Sequence, residues 1–135
     1  KPHVGNALRT PDAAKWLAKA VGQANLKLAF DFSHFQAQHI ALADALAAML
    51  PDTAFVHVKD VKDTAAKFEF LLPGQGDTDY PDLFARLAKG GYGGPVVVEV
   101  SAQVSNKPGY DPAAAAKSCY AALAPAFAKA GLRKE

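Results

Sequence analysis

Residues 96–100 read VVVEV (Val96-Val97-Val98-Glu99-Val100), a run of β-branched side chains interrupted by a single carboxylate. Such a run suits a β-strand. Alternate residues of a strand face opposite sides, so Val96, Val98 and Val100 share one apolar face and Glu99 falls on the other. Two shorter runs upstream repeat the arrangement. In residues 26–32 (LKLAFDF), Leu28 and Phe30 share a face and Asp31 opposes them; in residues 54–59 (AFVHVK), Val56 and Val58 oppose His57. Each polar residue also lies at or near the C-terminal end of its run, where α/β barrels and open α/β sheets hold their active sites.

Helical patterns separate these strands. Thr10-Pro11 opens residues 10–22 with a side-chain cap and a proline at the first helical position, and Ala13, Leu17, Ala20 and Val21 follow on one face. Residues 40–50 resume helical spacing with Leu42, Leu46, Met49 and Leu50 until Pro51 stops the pattern. After the second strand comes a charged loop of about fifteen residues ending Pro73-Gly74-Gln75-Gly76-Asp77. Asp79 then caps a helix over Leu83, Leu87 and Ala88 that Gly90-Gly91 ends, and Asp111-Pro112 opens a last helix carrying Tyr120, Leu123 and Phe127, with a kink expected at Pro125. Strands alternating with amphipathic helices predict an α/β fold with parallel strands joined by helical crossovers.

Composition narrows the function classes. The chain has 135 residues, 50% hydrophobic and 21% charged, and fits one domain. Its net charge of +2 is small and its lysines are scattered along helices, so neither a nucleic-acid nor a membrane partner is expected. Cys119 stands alone, which excludes an internal disulfide and a cysteine-based zinc site and fits a reducing compartment. No apolar run is long enough to span a bilayer and no signal pattern opens the chain, so a cytoplasmic protein is expected. A closed eight-stranded barrel takes about 200 to 250 residues. The chain, which does not open on methionine, is therefore expected to be partial, with residues 1–135 forming one incomplete barrel domain.

Singly, Asp31, His57 and Glu99 have ordinary readings as a turn or cap residue, a hydrogen-bonded rim residue and an ion-pair partner. Together they suggest a metal site. A carboxylate within VVVEV costs several kcal/mol unless a charge or a metal compensates it, and no arginine or lysine is evidently placed to do so. Mixed oxygen and nitrogen donors suit Mn²⁺, Mg²⁺, Co²⁺ or Zn²⁺. Lys59 and Lys62 are candidates to contact a substrate phosphate or carboxylate, or are exposed loop lysines; Asp60 either orients a ligand or caps the loop. His3 reads equally as a residue pointing into the rim of the site and as a loop residue, and His39 reads as a solvated or capping side chain. Trp16, Tyr80, Tyr92 and Tyr110 read as packing aromatics, and Cys119 as a small buried side chain.

The succession Asp31-Phe-Ser-His34, His57-Val-Lys-Asp60, Gly74-Gln-Gly76-Asp77, Gly91-Tyr92-Gly-Gly94 and Val98-Glu99 resembles the xylose isomerase-like (β/α)8 TIM-barrel family of sugar (phosphate) isomerases and epimerases. The resemblance runs from about residue 3 to 130 and covers the C-terminal half of such a barrel, in which strands alternate with helices. It implies that Asp31, His57 and Glu99 bind one divalent ion, that His34 and Lys59 contact substrate, that Asp60 supports the site from behind, and that Glu99 moves a proton. The implied reaction is isomerisation or epimerisation of a hydroxy-carbonyl carbohydrate. The implied partners are that small substrate and either the missing N-terminal half-barrel or a homo-oligomeric mate.

Two departures accompany the resemblance. Lys1 stands where the family carries another metal-binding glutamate, and Gln75 stands where it often has glutamate. The glycine loop itself reads equally as a turn into the Asp79-capped helix and as a phosphate site. Endonucleases for abasic DNA share the superfamily, but their extra D-x-H pair is replaced by Asp77-Thr-Asp79 and the basic surface is absent. A keto-inositol-type dehydratase or lyase, and a non-catalytic half-barrel, remain as alternatives.

Overall fold

The computed structural model describes residues 1–64 and 67–132. In chain order its elements are helix α1 (Pro11–Val21), strand β1 (Leu28–Asp31), the short helix α2 (Phe32–Gln36) and helix α3 (Leu42–Met49), followed by a 3-10 turn over Leu50–Asp52. Then come strands β2 (Thr53–Val58), β3 (Asp60–Thr64) and β4 (Lys67–Leu71), helix α4 (Tyr80–Lys89), strand β5 (Val96–Val98), the single turn α5 (Ala102–Ser105) and helix α6 (Pro112–Lys129). They fall into two compact units, Lys1–Val58 with Gly94–Val97, and Lys59–Gly93 with Val98–Glu135.

In the first unit, β2 lies between β1 and β5 in a three-stranded sheet. β1 and β2 are parallel and in register from Ala29 opposite Phe55 to Asp31 opposite His57, and the Val56 amide donates to the Pro95 carbonyl at 3.1 Å. The apolar face read from the alternation is the buried one: Leu28, Phe30, Val56 and Val58 are all core. α1 packs on α3, and α2 packs on α3 and β2. Thr10 caps α1 by accepting from the Ala13 amide at 3.2 Å, and Gly22, at φ 63°, ends it in the left-handed region that favours glycine. Trp16 corrects the expectation of a packing aromatic, because it is 68% exposed. It sits two residues from buried Ala14, which turns it about 200° around the helix and away from the packed face.

The second unit contains an element absent from the sequence reading. Where a charged loop was expected, β3 and β4 form an antiparallel hairpin, with Val61 opposite Phe70 and Lys62 opposite Glu69; residues 65–66 of that loop lie outside the described residues. Lys107, just past α5, donates to Glu69 Oε1 at 2.9 Å and holds that carboxyl below the usual carboxylate range. Asp79 caps α4 through the Asp82 amide, and Asp111 caps α6 through the Ala113 and Ala114 amides. α4 packs on α6, with Phe127 edge-on to Phe84 at 5.3 Å. Leu72, Val104, Ala115 and Cys119 make a second small core flanked by Val98, Val100 and Tyr110, and burial pushes the Cys119 thiol up from its ordinary pKa. Tyr80 and Tyr92 are buried as expected, and α6 runs on through Pro125. β5 stops at Val98, two residues before the end of the VVVEV run, so Glu99 is the first residue beyond it. Among the described residues no helix is long and apolar enough to cross a membrane.

Candidate active site

The corner between β1 and α2 is built by Asp31. As N-cap of α2 it accepts on Oδ1 from the Ser33 amide at 3.2 Å and from the Ser33 hydroxyl at 2.6 Å, which ends the strand and starts the helix within one residue. Its other oxygen, Oδ2, faces the Lys1 ammonium at 2.9 Å and His34 Nε2 at 3.4 Å. Asp31, Ser33 and His34 are all buried. A carboxylate so placed requires charge compensation, and Lys1 supplies it.

His57 is the register partner of Asp31 on β2, with its ring edge-on to Phe55 at 5.0 Å. The same Lys1 ammonium lies 3.2 Å from His57 Nδ1. An ammonium has only protons to give, so Nδ1 is the acceptor there. His3 enters the corner as well: its ring lies over that of His34 with centroids 4.0 Å apart, while its Nδ1 is 2.7 Å from the Val4 carbonyl. The first unit thus brings together Asp31, His34 and His57 of the sequence-predicted set, with His3 in the rim position that was one of its two readings, and adds Lys1 and Ser33. Ser33 was discernible, since a hydroxyl two residues after a capping aspartate is a recurrent local partner. The resemblance puts Lys1 at the position of a ligand, but its pairing with Asp31 was not discernible, because the two meet across thirty residues of chain.

The oxygen of Asp31 and the nitrogen of His57 converge on one cationic atom, Lys1 Nζ. These two donors therefore fit a divalent ion in kind and in direction, whereas Lys1 itself is a competing positive charge.

In the second unit, Lys59 and Glu99 form an ion pair between side chains 2% and 32% exposed, and the Lys59 ammonium also lies 4.9 Å above the Phe70 ring. This corrects two expectations. Glu99 does have a lysine to compensate it, and Lys59 is not an exposed loop residue, whereas Lys62 is exposed on β3.

Asp60, fully buried, accepts from three backbone amides: Gly74 at 2.8 Å and Gly76 at 2.9 Å on Oδ2, and Thr78 at 3.0 Å on Oδ1. Of the two roles open to it, capping the loop is the one the geometry displays. The glycines are required by the close approach. A Cβ on Gly76 would come within 2.5 Å of the Val61 carbonyl oxygen, and Gly74 has φ 89° with Ala122 Cβ 2.7 Å from where its own would stand. With their amides turned onto Asp60, Gly74, Gly76 and Thr78 form a closed turn ahead of α4, not an open phosphate cradle.

A model of the xylose isomerase-like TIM barrel family matches residues 1–123. No curated protein sequence matches the chain. Among solved structures, a 3-keto-D-glucoside 4-epimerase from E. coli superposes with a TM-score of 0.70 at 24% identity, over 92% of this chain and 44% of that one. An L-ribulose 3-epimerase gives 0.74 at 19% identity, over 96% and 47%. A xylose isomerase-like TIM barrel protein from Mycobacterium smegmatis, in complex with magnesium, gives 0.71 at 20% identity, over 98% and 44%. At these identities the likeness is one of fold. The chain spans about half the length of the structures it matches.

Proposed function

The chain belongs to the xylose isomerase-like TIM barrel family, and on that premise we propose that it supplies the C-terminal half of a divalent-metal-dependent isomerase or epimerase acting on a sugar-like hydroxy-carbonyl substrate. The observation that carries this reading is the convergence of Asp31 Oδ2 and His57 Nδ1, register partners at the ends of adjacent parallel strands, on a single cationic atom. The similar structures named as epimerases of keto-glucoside and ribulose support the reaction class, and the one in complex with magnesium supports the ion.

In this proposal Asp31, His57 and Glu99 hold the ion. When bound, it supplies the positive charge that offsets negative charge developing on the substrate oxygens. Glu99 takes the proton from the carbon beside the carbonyl on one face of the substrate, and a group from the rest of the barrel delivers a proton on the opposite face. Lys59, buried against Glu99, acts on the substrate through that carboxylate by keeping it aimed. His34, fixed beside Asp31, donates to a substrate oxygen. Asp60 contributes indirectly, by holding the loop into α4. The rest of the barrel, from further chain or a second copy, completes the substrate pocket. Lys1 on the two donors favours one further reading, a half-barrel that no longer catalyses.

The test is solvent exchange. The full-length protein, incubated in deuterated water with Mn²⁺ and a panel of ketoses and aldoses, is expected to place deuterium on the carbon beside the carbonyl. Glu99→Gln should abolish that exchange, and exchange unchanged in Glu99→Gln would reject the assignment.

A further inference from the structure

We propose that the Lys1 side chain is the protein's own occupant of the cation position between Asp31 and His57, so that a divalent ion binds there only by displacing it. The inference rests on the metal site proposed above and concerns what that site contains beforehand. Asp31 has one oxygen committed to the Ser33 amide and hydroxyl, while Oδ2 faces His34 Nε2 at 3.4 Å and the Lys1 ammonium. Lys1 Nζ is on that oxygen at 2.9 Å and on His57 Nδ1 at 3.2 Å. Two cations cannot share this approach, because like charges a few ångströms apart near a protein surface repel strongly.

The contact is also built to release. The Lys1 side chain is 17% exposed while the Asp31 carboxylate is fully buried, so the lysine reaches in from the solvent side on a flexible stem. Its backbone is kept close by the next two residues: Pro2 is buried, and the His3 amide donates to the Leu8 carbonyl at 2.9 Å. The ammonium thereby neutralises Asp31 while the site is without an ion, and it competes with the ion that arrives.

The test is Mn²⁺ titration of the full-length protein by calorimetry and by electron paramagnetic resonance, comparing the parent with Lys1→Gln, which keeps a polar stem and removes the charge. Lys1→Gln should bind Mn²⁺ about tenfold tighter or more. In ¹⁵N spectra of the parent, the Lys1 ammonium signal should shift as Mg²⁺ is added, which reads displacement directly and independently of activity. Equal affinity in parent and variant, with an unmoved lysine signal, would overturn the inference and leave the metal site standing. Absence of binding in both proteins, each folded by circular dichroism, would overturn the site and the inference together. Weaker binding in Lys1→Gln would make Lys1 a supporting residue and also overturn the proposal.

Discussion

The two oxygens of Asp31 divide folding from charge: Oδ1 takes the Ser33 amide and hydroxyl and so turns β1 into α2, whereas Oδ2 meets Lys1 and His34. Substitutions can separate the roles. Asparagine is as good a helix cap as aspartate, so Asp31→Asn keeps the corner and removes only the charge. Asp31→Ala removes both, and takes away the buried carboxylate that the Lys1 ammonium faces. The expected losses of unfolding free energy are about 1–2 kcal/mol for Asn and about 2–4 kcal/mol for Ala, the difference being the cap. Urea denaturation of the full-length variants checks the order, and equal losses would mean that the cap is worth nothing here. The Lys59–Glu99 pair obeys the same logic of compensation across forty residues of chain.

At the level of elements, the parity of three short runs was enough to identify β1, β2 and β5 and to put Leu28, Phe30, Val56 and Val58 in the core. Caps at Thr10, Asp79 and Asp111 were equally legible, because a cap is a local interaction between a side chain and amides two or three residues on. The β3–β4 hairpin was hidden by its charges. Phe68 and Phe70 do alternate with Glu69, a period-two signal, but Lys62 and Asp63 across from them read as loop, and strand pairing is a non-local choice. Both lysine–carboxylate pairs were likewise out of reach, since nothing in local spacing announces a contact between distant segments. The loop from β4 to α4 leads to a specific expectation. Gly76→Ala would drive a methyl into the Val61 carbonyl oxygen, a backbone atom that cannot step aside, so the variant should lose about 1–3 kcal/mol. Hydrogen exchange at residues 74–78 should rise in step, and an unchanged exchange rate there would show that the approach is relaxed at no cost.

For the molecule as a whole, the chain spans about half the length of the barrels it resembles. Its three-stranded sheet has β1 and β5 as edge strands among the described residues, and Val97 of β5 is 39% exposed. Open edges pair with whatever strand is available. Residues 1–135 on their own should therefore self-associate in sedimentation, and supplying the remaining strands should give a discrete species that melts cooperatively. A monodisperse monomer of residues 1–135 with a sharp melting transition would contradict this. The clasp around Asp60 bears on ligand choice in such an assembly. Converging amides at a glycine-rich turn ahead of a helix form an anion receptor, and here the guest is an anion tethered to the same chain. A receptor that is permanently filled exerts no selection on charge. The loop contributes rigidity in place of discrimination, and under the proposed function any preference between a phosphorylated sugar and its neutral counterpart has to be written in other parts of the barrel.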